Sequence, residues 1–390
     1  MTGLELAAQI ACARLTGAKN GSCEIDYFPG QIQLPNHYHA DSVTAGSITL
    51  LIQVALPLLL FSPTPVPAST LTLLGGTNAT MAPQVDYTKN VFLPFISKHF
   101  GVDGVSLHIK KRGYYPKGGG EVELSVTPLS GDRKLRGFSL MNQGKVNWIA
   151  GISHCAGLPA SVANEMVDGA TARLARAGFL GGKYSNHVDV TPEVLEERRT
   201  VQISIQSQRE PNNLTRGAGS GIVLWAQLDG GGIIGGSAVG MKGMDPAAVG
   251  DEAATQLIKG IDAGGCVDEV KDTFFYAYLN PIHFYLQWTQ DQIIIFMALA
   301  EGKSEVRCGS AGLSLHTRCS RGFKAALLGR TDKEIRTAIW LAEELTDATF
   351  EIEEEPAGTV VIRCQGVGHT AGTKEDNMAT DGNPSNNVEI

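Results

Sequence analysis

NVFLPFISKHFGVDGVSLHIK, Asn90 to Lys110, reads as one complete structural phrase: an amphipathic helix from Asn90 to Phe100, a turn rich in glycine and aspartate, then an alternating strand from Val105 to Lys110. Apolar residues three and four apart mark the helix, and period-two alternation marks the strand. The phrase recurs. Leu4 to Leu15 precedes a strand from Cys23 to Phe28, Asp291 to Ala300 precedes Ser304 to Cys308, and Thr337 to Leu345 precedes Ala348 to Glu353. Repeated helix-then-strand units whose strands share one side and whose helices share the other build a layered structure. The expected class is α+β: a large domain of repeated α/β units, helices packed on sheets, and not a Rossmann fold.

Between the second and third phrases the pattern changes, and residues 147–264 read as a smaller inserted α/β domain. Its first helix is predicted over Ser161 to Ala177 with Gly178 as the stop, and its second starts at Asp245 with Pro246 in the first turn. Strands are expected at Val201 to Ser207 and Ile222 to Gln227. The repeat domain then occupies 1–146 and 265–370, and the polar, aperiodic residues 371–390 are expected to be a disordered tail.

A formal net charge of −8 over 390 residues argues against a general polyanion binder, so nucleic acid would have to be held by a local basic site. Seven cysteines, odd in number and never spaced as CxxC, argue against a disulfide framework and a zinc site and point to a reducing compartment. The most apolar stretch, Ile48 to Phe61, is interrupted by Gln53 and Pro57 and reads as a buried helix, so no membrane partner is expected. Without a recognisable secretory leader the chain is expected not to be secreted, and the sequons at Asn78 and Asn213 to be unused. LDGGGIIGGSAVG, Leu228 to Gly240, lacks the Gly-Lys-Ser/Thr of a phosphate loop and reads as a hairpin with an Asp-Gly turn. Glu351 to Glu355 reads as a solvated strand end.

RGYYPKGGGEV, Arg112 to Val122, carries the densest chemistry. Three glycines let a backbone approach a ligand closely, while Arg112, Lys117 and an aromatic such as Tyr115 suit phosphate and base. On spacing alone, a tight turn between strands fits equally well. As a string, the run resembles the signature of the RNA 3′-terminal phosphate cyclase family, matching at Arg112, Gly113, Pro116, Gly118, Gly119, Gly120 and Val122. The resemblance continues through TAGSITLLIQVALP (Thr44 to Pro57), GGTNATMAPQVDY (Gly75 to Tyr87), DQIIIFMALAEG (Asp291 to Gly302), GLSLHT (Gly312 to Thr317) and CQGVG (Cys364 to Gly368).

The resemblance implies an ATP-dependent, ligase-type enzyme that converts an RNA 3′-terminal phosphate into a 2′,3′-cyclic phosphate. His316 matches the family's nucleophile, which takes AMP from ATP. Gln53 and Asp291 match polar groups of the nucleotide pocket, and Pro83 and Trp288 match those that sandwich adenine. Arg112, Tyr115 and Lys117 are the expected contacts to RNA. ATP with Mg²⁺ or Mn²⁺ is the implied cofactor set, RNA with a 3′-phosphate end the partner, and the nucleus the compartment suggested by eukaryotic members. No metal-ligand set is legible, nor is an oligomeric state.

A related branch of the family, a non-catalytic factor of ribosome assembly, lacks the nucleophile, so His316 favours the catalytic branch. The family's opening strand, with its EGGGQ-type and RAGR-type segments, has no counterpart in these 390 residues, and an inactive truncated cyclase is the corresponding alternative. Residues 270–287 and 319–336 also lack counterparts. They are expected to be retained introns or, if real, loops beside the active site.

Overall fold

The computed structural model describes residues 1–79, 82–179, 189–268, 289–309, 330–356 and 358–372. Three four-stranded sheets organise it. In the first, His37–Asp41 runs parallel to Ser69–Gly75, which pairs antiparallel with Gly120–Val126, itself antiparallel to Val105–Lys111. Ser69–Gly75 and Gly120–Val126 alternate strictly between buried and half-buried residues, so one face is apolar. The helices Thr2–Ile10, Ile48–Leu59 and Leu93–Phe100 contribute Leu6, Ile52 and Ile96 to the core on that face.

The second sheet orders Thr349–Glu354, Val360–Val367, Glu301–Cys308 and Ser139–Leu140, with the helices Ile294–Leu299 and Arg330–Leu345 packed beside it. One core serves both sheets. It draws on residues from Leu6 to Leu140 and again from Cys266 to Cys364.

A separate core spans Ile149 to Ile261. Its sheet orders Gln202–Arg209, Val146–Ala156, Gly219–Leu228 and Ile233–Val239. Two helices cover it, Ala160–Arg176 and Pro246–Asp262. Their backbones nearly touch: a Cβ on Gly169 would lie 1.9 Å from the Ala247 carbonyl oxygen, so glycine is required at that crossing. Asp245 caps the second helix by accepting from the Ala247 N–H at 3.2 Å, and Gly178, at φ +88°, follows the end of the first. Val267 forms single bridges to Ile233 and to Cys308, joining this sheet to the second.

The buried helix at Ile48–Leu59 and the Leu228–Gly240 hairpin form as expected, with Leu228 and Gly232 closing the turn at 3.0 Å. Several boundaries differ. The first helix stops at Ile10, because Cys12 turns left-handed (φ 48°) and Arg14–Thr16 pairs as a strand with Asp26–Phe28. The helix of the opening phrase begins with a π turn, Thr88–Phe92. Pro94 has no N–H to close on Asn90, and the widened turn accommodates it. The last helix starts at Arg330, seven residues before Thr337, while 270–287 and most of 319–336 fall outside the described residues.

The acidic run is the solvated strand end expected: Glu351, Glu353 and Glu354 are exposed, Arg363 Nη1 pairs with Glu353 at 2.5 Å, and the half-buried Glu355 pairs with Arg307 Nε at 2.7 Å. Six cysteines are described and all are free thiols. Among the described residues no helix is long and apolar enough to cross a membrane.

Candidate active site

The Arg112–Val122 run is the connection between the antiparallel strands Val105–Lys111 and Gly120–Val126 of the first sheet. Tyr114 makes single bridges to Asn78 and to Gly118, and Gly118 and Gly119 lie at φ +57° and +76°. The run is therefore the tight connection between strands, and it presents glycines and a lysine.

Arg112 turns inward. Its guanidinium, 4% exposed, donates from Nη1 and Nη2 to the two carboxylate oxygens of Asp86 at 2.5 and 2.9 Å, and from Nε to Glu210 Oε1 at 2.6 Å. Glu210 belongs to the segment that follows Gln202–Arg209, so one arginine ties the first sheet to the inserted one. Burial alone would raise the Asp86 pKa, but the adjacent guanidinium overrides it and holds the carboxyl below its ordinary value. The same pairing outweighs the desolvation of Arg112 and raises its pKa. Arg112 thus departs from the expected contact with RNA; it anchors the run, because both carboxylates occupy its donors.

His154 sits beneath this ion pair, fully buried. Asn78 Nδ2 donates to its Nε2 at 3.2 Å, which leaves the proton on Nδ1, facing the Tyr114 hydroxyl at 2.8 Å. Burial, reinforced by the Arg112 charge, lowers its pKa to about 3, so the ring is neutral. Gln84 completes the junction. It accepts from Asn78 at 2.7 Å and donates to the Ile222 and Ala238 carbonyls, both at 3.1 Å. Asp86, His154 and Glu210 escaped the sequence reading; the one available signal was Asp86 itself, inside the quoted MAPQVDY segment.

Of the expected nucleotide-pocket residues, Gln53 is half-buried on the Ile48–Leu59 helix and Pro83 is buried. Thr49, one turn before Gln53 on the same helical face, donates its hydroxyl to the Pro83 carbonyl at 2.8 Å. That bond brings the helix carrying Gln53 to the Pro83 turn. Asp291 lies in the short helix Thr289–Gln292, and the following helix meets the segment after Pro83 through Phe296 and Phe92, ring centroids 5.8 Å apart. Trp288 and His316 lie outside the described residues.

Lys117 and Tyr115 are exposed, Tyr115 by 73%. Lys117 lines a cavity of about 260 Å³ together with Thr44, Gly119, Glu121, Thr215 and Arg216. No group of three or more histidine, cysteine or acidic side chains suited to a metal occurs among the described residues. These residues do not form a protein-only metal cage.

The family model for RNA 3′-terminal phosphate cyclases matches residues 1–352. The chain is 34% identical over 370 residues to a probable RNA 3′-terminal phosphate cyclase of Dictyostelium discoideum, covering 94% of this chain and 72% of that one. It is 32% identical to the RNA 3′-terminal phosphate cyclase of Drosophila melanogaster (94% and 83% covered) and 30% identical to that of Pyrobaculum neutrophilum (95% and 86%). The glycine run that opened the functional reading thus sits within a match spanning nearly the whole described chain, and the protein belongs to the RNA 3′-terminal phosphate cyclase family, a family of enzymes.

Proposed function

We propose that this chain converts an RNA 3′-terminal phosphate into a 2′,3′-cyclic phosphate at the expense of ATP. The observation that carries the reading is family membership across 1–352, with the Thr49 to Pro83 hydrogen bond gathering two of the matched nucleotide-pocket positions. An imidazole nitrogen of His316 attacks the α-phosphorus of ATP and pyrophosphate leaves. An oxygen of the RNA 3′-phosphate then takes AMP from the histidine. The ribose 2′-hydroxyl attacks the activated phosphorus, loses its proton and expels AMP; attacker and target share one sugar, so little orientation remains to be imposed.

Gln53 and Asp291 hold the nucleotide, Pro83 and Trp288 flank the adenine, and Tyr115 and Lys117 meet the RNA. Arg112 acts on RNA only through the loop it anchors. A Mg²⁺ or Mn²⁺ ion bound with the nucleotide would neutralise charge on the phosphates. A nuclear location belongs to the same reading and is carried by the resemblance to eukaryotic members.

The decisive experiment incubates the chain with α-phosphate-labelled ATP and Mn²⁺, then adds RNA ending in a 3′-phosphate. Acid-labile label on the protein, absent from His316→Ala, followed by cyclic-phosphate product, is the expected result. A folded chain that takes no label and forms no cyclic end would overturn the proposal and leave a binding role.

A further inference from the structure

The cavity beside the glycine loop has walls from several distant parts of the chain, and two of them oppose their cations across it. The loop contributes Lys117 and Gly119; the segment between Gln202–Arg209 and Gly219–Leu228 contributes Thr215 and Arg216. The two parts interlock. Gly119 lies at φ +76°, and a Cβ there would come within 2.5 Å of Arg216 Cδ, so the arginine stem crosses a bare α-carbon. A Cβ on Gly217 would in turn meet the Lys117 side chain at 3.3 Å.

Two carboxylates also line the cavity, and both are engaged. Asp41 Oδ1 accepts from the Val43 N–H at 2.7 Å, and Glu121 pairs with Lys111 at 3.0 Å. Lys117 and Arg216 have no carboxylate partner among the described residues. Because Lys111 also lines the cavity, three cations face two carboxylates, and the local balance is cationic on a chain of net charge −8. A lysine ammonium opposed to an arginine fork suits a phosphate. Thr44, another wall residue, precedes the Ser47 cap of the Ile48–Leu59 helix, whereas Gln53 lies six residues beyond that cap, roughly 9 Å along the axis at 1.5 Å per residue. Tyr115, two residues before Lys117, offers an exposed ring for stacking.

Resting on the cyclase reading, we infer that Arg216 and Lys117 together clamp a backbone phosphate of the RNA strand, so that the inserted unit takes part in holding the substrate. The same phosphate chemistry could come from the polyphosphate of ATP, and the experiment separates the two.

The probe is a fluorescent RNA decamer ending in a 3′-phosphate, titrated by anisotropy across a NaCl series with the full chain. Arg216→Ala and Lys117→Ala should each weaken binding about tenfold at low salt and each flatten the log–log salt dependence in part, the double variant by about 0.7, the contribution of one phosphate on a single strand. Arg216→Lys should recover most of the salt slope but only part of the affinity. Arg133→Ala removes a like charge from an exposed turn outside the cavity and should leave both unchanged. Unaltered RNA binding in Arg216→Ala, with matched circular dichroism, overturns the inference. So does a raised KM for ATP alone, which would assign the cations to the nucleotide. A chain that binds RNA with these slopes yet cyclises none fails the proposed function but keeps the clamp; an active chain indifferent to both alanines fails the clamp alone.

Discussion

Arg112 and Lys117 lie five positions apart in one run, yet the fold uses them in opposite ways. Arg112 is 4% exposed, shares a buried junction with Asp86, Glu210 and neutral His154, and has each nitrogen committed to a carboxylate. Lys117 stands at a solvent-open cavity, opposite another cation and without a carboxylate partner among the described residues. A guanidinium can be buried because its planar fork satisfies two carboxylates at once; an ammonium on a flexible stem is cheaper to leave hydrated. The difference teaches that a basic residue in a binding motif has two possible audiences, the fold and the ligand.

The largest effect that would break this contrast is on stability. Arg112→Ala leaves Asp86 and Glu210 buried without their cation and should cost about 3–5 kcal/mol in urea unfolding. A loss below 1 kcal/mol would place Arg112 with Lys117 after all. Next comes pH. His154 stays neutral in the folded chain down to about 3, against an ordinary 6.5, so below pH 6.5 only the unfolded chain gains its proton. Stability should fall by about 1.4 kcal/mol per pH unit as pH drops through that window, beyond what other groups contribute. Asp86, with its pKa held below 3.8, adds its own loss only at the acid end. His154→Gln should flatten the slope between pH 6 and 4, and an unchanged slope would assign the acid sensitivity elsewhere.

A smaller effect is expected at Gly119. Alanine there must adopt φ +76° and displace the Arg216 stem, costing about 1–2 kcal/mol in unfolding and disturbing the cavity wall at the same time. The smallest is Lys117→Ala, which should shift stability by less than about 0.5 kcal/mol, as surface changes usually do. A large destabilisation by that variant would erase the comparison.

What could be read in advance follows the range of the interactions involved. Asp245-Pro246 and Gly178 announce helix limits because a cap is a contact within a few residues, and both stand where expected. The end of the first helix was not legible, since nothing local in Leu4 to Leu15 declares a left-handed Cys12 or a strand paired with Asp26–Phe28. Lys117, read among its glycines as suited to phosphate, is exposed and has no carboxylate partner among the described residues. Arg112 looks the same in sequence, and its commitment depends on partners 26 and 98 residues away. His154 is a lone histidine in the strand Val146–Ala156, which by itself says nothing of a neutral ring under an ion pair. His316 and Trp288 rest on the family resemblance.

Gln84 has one more consequence, for modularity. Its amide nitrogen reaches Ile222 and Ala238, residues that face each other across two strands of the inserted sheet. Those carbonyls, with Glu210 nearby, form a socket shaped for a plug that belongs to another part of the chain. Excised for separate expression, the inserted unit would carry an empty socket and an unanswered carboxylate, and the remainder would keep Gln84 and Arg112 with nothing to enter. Neither piece is a self-sufficient cassette, so grafting the unit onto a different host requires moving Gln84, Asp86 and Arg112 with it.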